Sequence, residues 1–163
     1  MASAGFGMRW RAQIEPFARP FMQACWRLTR GATLGVRAVA ERPDGHIALV
    51  RHTYINGWHL PGGGVEAGET ALEAVARELA EEAGVRLTGE PELLGVYANH
   101  KAFRGDHVLL YRTCGWVECA TQSQGEIECV DWFSPSDLPT GTATATRRRL
   151  AEIYAGAARV SHW

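Results

Sequence analysis

Between Thr70 and Gly84 the sequence TALEAVARELAEEAG carries its own start signal, a periodic interior and its own stop. Thr70 and Glu73 stand at the T-x-x-E spacing of a capping box, in which each side chain satisfies a backbone N–H of the first turn. Gly84 supplies the left-handed residue on which helices end. Leu72, Val75, Ala76, Leu79 and Ala83 recur at helical spacing and predict one buried stripe. At about 100° per residue, Glu78, Glu81 and Glu82 share one arc, read here as lying away from that stripe. Three carboxylates at i, i+3 and i+4 repel by a few tenths of a kcal/mol per pair, roughly, and no Lys or Arg of the helix is expected on their arc. A hard divalent cation relieves them: Mg²⁺ takes carboxylate oxygens together with water and phosphate oxygens. A plain solvated acidic face explains such a triplet equally well when it stands alone. The loop Pro61-Gly62-Gly63-Gly64 just before the helix shifts the balance, because glycines let the backbone come close to an ion or ligand.

The rest of the chain frames this segment with strands. TLGVRAVAE, the turn Pro43-Asp44-Gly45 and HIALVRH read as a β-hairpin. Further strands are expected at Glu92–Asn99, His107–Cys119 and Ile127–Phe133, and a second helix from Thr146 to Tyr154. A β-rich order with one central and one late helix fits an α+β or α/β/α layered domain. Residues 31–163 are assigned to this domain. Residues 1–30 form a basic, aromatic extension with a short helix expected from Pro20 to Thr29, whose face Phe21, Cys25 and Leu28 would pack on the domain, a membrane surface or a second copy of the chain.

Charge and cysteine content narrow the classes of function. A formal net charge of −1 gives no global field for gripping nucleic acid, and no DNA partner is expected. The basic run Arg147-Arg148-Arg149 reads as a solvated helix start or as a small patch for RNA. Cys25, Cys114, Cys119 and Cys129 show no zinc-like spacing, and three of them lie in strand-like runs where a buried free thiol is expected. That usage suits a reducing, cytoplasmic setting. No apolar run reaches the roughly 20 residues of a membrane span.

The segment from Gly63 to Val85 resembles the box that defines the Nudix hydrolase family, G-x5-E-x7-R-E-U-x-E-E-x-G-U with U a bulky aliphatic. Gly63, Glu69, Arg77, Glu78, Leu79, Glu81, Glu82, Gly84 and Val85 meet every defined position. The resemblance implies an α/β/α sandwich with a mixed sheet, its box forming a loop–helix–loop. It implies that Glu78, Glu81 and Glu82 bind Mg²⁺, with Mn²⁺ as a substitute, assisted by a glycine-loop carbonyl assigned to Gly63. It also implies that Glu69 and Arg77 form an internal ion pair supporting the site.

The implied activity is hydrolysis of a diphosphate bond in a nucleoside diphosphate linked to another moiety, a nucleotide-like small molecule. Hydrolysis needs charge neutralisation, an activated water and a carboxylate to take its proton. Glu81, Glu82 and Glu126 are the candidates for that last role, with Glu128 a weaker substitute. Arg37, Arg51 and Trp58 are candidate substrate contacts on strands that should wall the cleft. His100, Lys101, Phe103, Arg104 and His107 form a second cationic and aromatic cluster around a loop. Two other readings stand beside the hydrolase: a catalytically silent domain that only binds a nucleotide or partner, and an RNA 5′-end pyrophosphohydrolase.

Overall fold

The computed structural model describes residues 31–121 and 125–163. The chain divides into two units, 1–32 and 33–163. The helix expected in the first, and its docking role, lie outside the described residues.

The second unit runs β1 (Thr33–Ala40), β2 (Ile47–His52), β3 (Trp58–His59), α1 (Ala71–Ala83), β4 (Val85–Leu87), β5 (Glu92–Ala98), β6 (Asp106–Thr113), β7 (Trp116–Glu118), β8 (Ile127–Phe133) and α2 (Thr144–Tyr154). One sheet has the order β1-β6-β5, a second β3-β2-β8, and β4 pairs with β7. The first sheet is mixed: β1 runs parallel to β6, whereas β5 runs antiparallel to it.

Alternation along β1 and β2 creates two cores. Val36, Ala38, Ala40, Ala48 and Val50 pack under Ala74, Val75, Leu79 and Ala83 of α1. Val39, Ile47 and Leu49 point the other way and pack with Leu60, Tyr97 and Leu110 against Leu150 of α2. Strands buried on both faces, with a helix over each, make an α/β/α sandwich.

The hairpin expected from Thr33 to His52 is corrected by this topology. The turn forms, with Gly45 N–H donating to Arg42 O at 2.9 Å, but the ladder stops at the Arg42–His46 bond and a Glu41–Ile47 bridge, and β1 and β2 then pair in different sheets. β1 instead takes β6 on one side and the glycine loop on the other: Val36 N–H donates to Gly63 O at 2.8 Å, and Val65 N–H to Leu34 O at 2.9 Å. The strand expected over His107–Cys119 is broken at Cys114-Gly115 into β6 and β7. Cysteine burial is also corrected: Cys114 is exposed in that break, and Cys119 and Cys129 are half-buried.

Candidate active site

Helix α1 begins as its sequence requires. The Thr70 side chain accepts the Glu73 N–H, the Glu73 carboxylate accepts the Thr70 N–H, and Gly84 ends the helix at φ 64°. Its roll about its own axis differs from the stripe read in the sequence. Ala74, Val75, Leu79 and Ala83 face the sheet, and Leu72 turns outward at 41% exposure. That roll brings two of the three carboxylates inward: Glu78 and Glu82 are only 8% and 7% exposed, while Glu81 faces solvent.

Burial pushes the Glu82 carboxyl up to about 7, and it raises that of Glu78 as well. Glu82 is held by the glycine loop, its Oε2 accepting the Gly62 N–H at 2.7 Å. Glycine is required there. Gly62 sits at φ 139°, where an added Cβ would collide with the Val36 carbonyl, and a Cβ on Gly63 would collide with the Glu78 carboxylate.

Arg77 corrects the expectation that no cation of the helix reaches the acidic arc. Its Nε and Nη2 take the two Glu69 oxygens at 2.9 and 3.1 Å. Its Nη1 donates to Glu78 at 2.8 Å and Glu81 at 3.3 Å, and Nη2 also reaches Gly64 O at 3.1 Å. The guanidinium thus joins the loop before the helix to the carboxylates on it.

The other candidates separate cleanly. Arg37 lies beside the site, with Nη1 donating to Leu60 O at 3.0 Å and to Gly62 O. Glu126 is brought to it from the start of β8, its carbonyl accepting the Thr53 N–H at 2.9 Å and its charge adding to the field on Glu82. Arg51 and Trp58 are not brought to the carboxylates. Arg51 is held by both Glu128 oxygens at 2.9 and 2.8 Å, which also engages Glu128, and Trp58 packs edge-on against Phe133 on the α2 side of the sheet. The Gly63 carbonyl assigned to the metal is engaged by Val36 N–H in the β1 ladder; the Gly62 carbonyl is the one turned to the Arg37 guanidinium.

A cleft of about 280 Å³ opens next to this cluster. The glycine loop (Gly63, Gly64), Arg37, Asn99, Asp106 and Trp163 are among the residues that line it. Asp106 is fixed by Thr33 Oγ1 at 2.7 Å and Asn99 Nδ2 at 2.8 Å. The carboxylates do not line the cleft themselves; Gly63, which borders the Glu78 carboxylate, is shared between the two.

Comparison with known proteins agrees with this geometry. Residues 31–155 match the NUDIX domain. The chain belongs to the Nudix hydrolase family. It is 35% identical over 125 residues to a "MutT-like protein" of Streptomyces ambofaciens, covering 76% of this chain and 72% of that protein. It is 30% identical over 131 residues to a "Putative 8-oxo-dGTP diphosphatase" of Bacillus subtilis (strain 168), covering 79% and 85%. The crystal structure of a MutT NUDIX hydrolase from Burkholderia pseudomallei superposes with a TM-score of 0.65 at 29% identity, over 76% of this chain and 98% of that one.

The donors of this Nudix hydrolase suit a hard cation. Glu78, Glu81, Glu82 and the Gly62 carbonyl are all oxygen donors, and the two buried carboxylates differ: Glu78 has Arg77 as its counter-charge, whereas Glu82 has the Gly62 N–H and a neutral His52 beside it. Among the described residues no three acidic, His or Cys side chains are already gathered as a cage, and Arg77 pairs with both Glu78 and Glu81.

Two residues beside the carboxylates were missed in the sequence. His52 is buried, its Nδ1 unpartnered and 3.7 Å from Glu82 Oε1, too far for a hydrogen bond. Burial, with Arg37 and His59 nearby, lowers it to about 4, so the imidazole is neutral at pH 7 and makes no ion pair with Glu82. The alternation Ala48, Val50, His52 carried that signal. Tyr54, 71% exposed as a whole, has its ring tilted 40° against that of His52 at 5.1 Å, and partial desolvation of its hydroxyl with the charge of Glu82 raises it; a turn residue of this kind carries no periodicity to betray it.

Proposed function

We propose that this Nudix hydrolase uses Mg²⁺, or Mn²⁺ in its place, to cleave the diphosphate bond of a nucleoside triphosphate, releasing a nucleoside monophosphate and pyrophosphate. The observation that carries this reading is the pair of desolvated carboxylates, Glu78 and Glu82, against a glycine loop that also lines a cleft. The relatives named for 8-oxo-dGTP hydrolysis and MutT-like function support the choice of a triphosphate.

In this reading Glu78, Glu81, Glu82 and the Gly62 carbonyl hold the cation. When bound it neutralises phosphate charge and makes the attacking water more acidic. The chain's own residues do the rest. Glu69 and Arg77 keep the loop and helix in register, so the carboxylates do not spread. Arg37 braces the glycine loop and offers its charge at the phosphate end of the cleft. Glu126 takes the proton as water attacks phosphorus and the bridging P–O bond breaks. What supports this is that Glu126 stands just before β8, bonded through its backbone to Thr53, that its charge adds to the field on Glu82, and that among the described residues no cation pairs with its carboxylate. The nucleoside extends along the cleft toward Asn99, Asp106 and Trp163.

The test is product release from a panel of canonical and oxidised nucleoside triphosphates, ADP-ribose, dinucleoside polyphosphates and 5′-triphosphorylated RNA, with Mg²⁺ and then Mn²⁺, beside Glu82→Gln. Turnover of triphosphates that is lost in the variant is the expected result. Failure of the folded protein to bind either ion overturns the reading.

A further inference from the structure

Of the run Arg147-Arg148-Arg149, the first two side chains are exposed as a solvated helix start requires, but Arg149 is not. Arg149 is 0% exposed and lies under the polypeptide from Val160 to Trp163. Its Nη2 donates to Glu152 Oε1 at 2.7 Å and its Nη1 to His162 O at 3.0 Å. Glu152 Oε1 also accepts the Val160 N–H at 3.1 Å, and Glu152 Oε2 accepts the Tyr97 hydroxyl at 3.3 Å. From the other side the same segment is zipped to the end of β5: Ala98 N–H donates to Ser161 O at 2.9 Å, and Trp163 N–H donates to Ala98 O at 3.0 Å. A buried ion pair and a strand end therefore hold four residues of otherwise irregular backbone in one place.

What they hold there is Trp163. Its ring meets Tyr97 edge-on at 5.8 Å, and the residue lines the same cleft as Gly63, Gly64, Asn99 and Asp106. We propose that Val160–Trp163 is a built-in wall of the substrate cleft, and that Trp163 selects nucleotides carrying a large flat base, purines over pyrimidines. This rests on the nucleotide reading above. An indole gives a base a π-surface to stack on, and a purine offers it more area than a pyrimidine. Arg149 and Glu152 act as positioning residues, because they touch the segment and not the cleft. The pair's desolvation is costly unless its hydrogen bonds are met, and the tail backbone meets two of them.

The experiment compares the full chain with Trp163→Leu and Trp163→Phe, measuring kcat and KM for purine and pyrimidine nucleoside triphosphates with Mg²⁺. Calorimetric binding of the purine and pyrimidine monophosphates gives a readout independent of turnover. Base–aromatic stacking of ordinary strength predicts a rise of about tenfold in purine KM and in monophosphate Kd for Trp163→Leu. The pyrimidine values should shift less, and Trp163→Phe should restore most of the purine preference. A merely structural Trp163 would change both bases alike, or change only thermal stability, and either result overturns the proposal. If Trp163→Leu does not fold, Trp163→Phe and Trp163→His carry the same comparison, and an unaltered purine-to-pyrimidine ratio in both overturns it. Wild-type protein inactive on every nucleotide and blind to both monophosphates would instead condemn the nucleotide reading.

Discussion

Three carboxylates and a carbonyl share the one guanidinium of Arg77, and only a planar fork with five donors can serve them together. Lysine keeps the charge but not the fork. Arg77→Lys is therefore expected to lower Mg²⁺ affinity or kcat/KM by roughly 10- to 100-fold, as substitutions behind metal ligands do, with a small change in melting temperature. Activity measured against Mg²⁺ concentration checks this, and an unaltered titration would sink it. Glu82 gives a second prediction. Its folded value of about 7 lies above the 4.5 of an ordinary glutamate, so the metal-free fold favours the protonated form. Its stabilising contribution is whole below pH 4.5 and is lost as pH rises through 7. Metal-free Glu82→Gln should match the wild type near pH 4.5 and exceed it by on the order of 1–3 kcal/mol near pH 8. Denaturation of both proteins in chelator across that range reads the difference. These pairings could not be read from spacing alone. Helical angles order the carboxylates around α1, but which of them turn inward depends on Ala74 and Ala83 letting the helix settle onto the small side chains of β1.

Local signals fixed α1 more firmly than any strand, and the energies show why. A capping box and a left-handed glycine act within one turn of chain, whereas a strand's partner is chosen by surfaces far away in sequence. Thr70→Ala should cost about 1 kcal/mol. Gly84→Ala should cost more, because φ is 64° and the new Cβ would stand 2.8 Å from Cys119 O. Urea denaturation of the two variants tests the order, and a costlier Thr70→Ala contradicts it. The same contrast explains the split hairpin. The Pro43-Asp44-Gly45 turn is legible, yet the backbone hydrogen bonds of β1 go to β6 and to the Pro61–Val65 loop. That loop carries neither β-branched alternation nor a period, so its role as a strand surrogate beside the active site left no trace in the sequence pattern.

At the scale of the whole molecule, the two layers of helix have different duties. α1 presents carboxylates to the glycine loop, and α2 buries an ion pair that holds the 160–163 segment beside β5. The pair was invisible in the sequence because three consecutive arginines read as surface, and Arg149 goes inside only because Leu150 and Ile153 orient α2 onto the Tyr97 side of the sheet. Breaking such a pair leaves a buried charge without its partner, which costs about 3–5 kcal/mol, while replacing both members with apolar groups is often close to neutral. Arg149→Met and Glu152→Leu alone should each lower stability by that amount. The double variant should recover a large part of it, since the unmet charge disappears with both partners and the Tyr97 and Trp163 rings still cover an apolar side chain. Recovery cannot be complete, because His162 O loses its Arg149 donor and the Val160 N–H its Glu152 acceptor. Guanidinium denaturation of the three variants measures the coupling directly. A double variant no more stable than either single one would show that the pair serves chiefly through its hydrogen bonds to the 160–163 segment, and not through the mutual neutralisation of two buried charges.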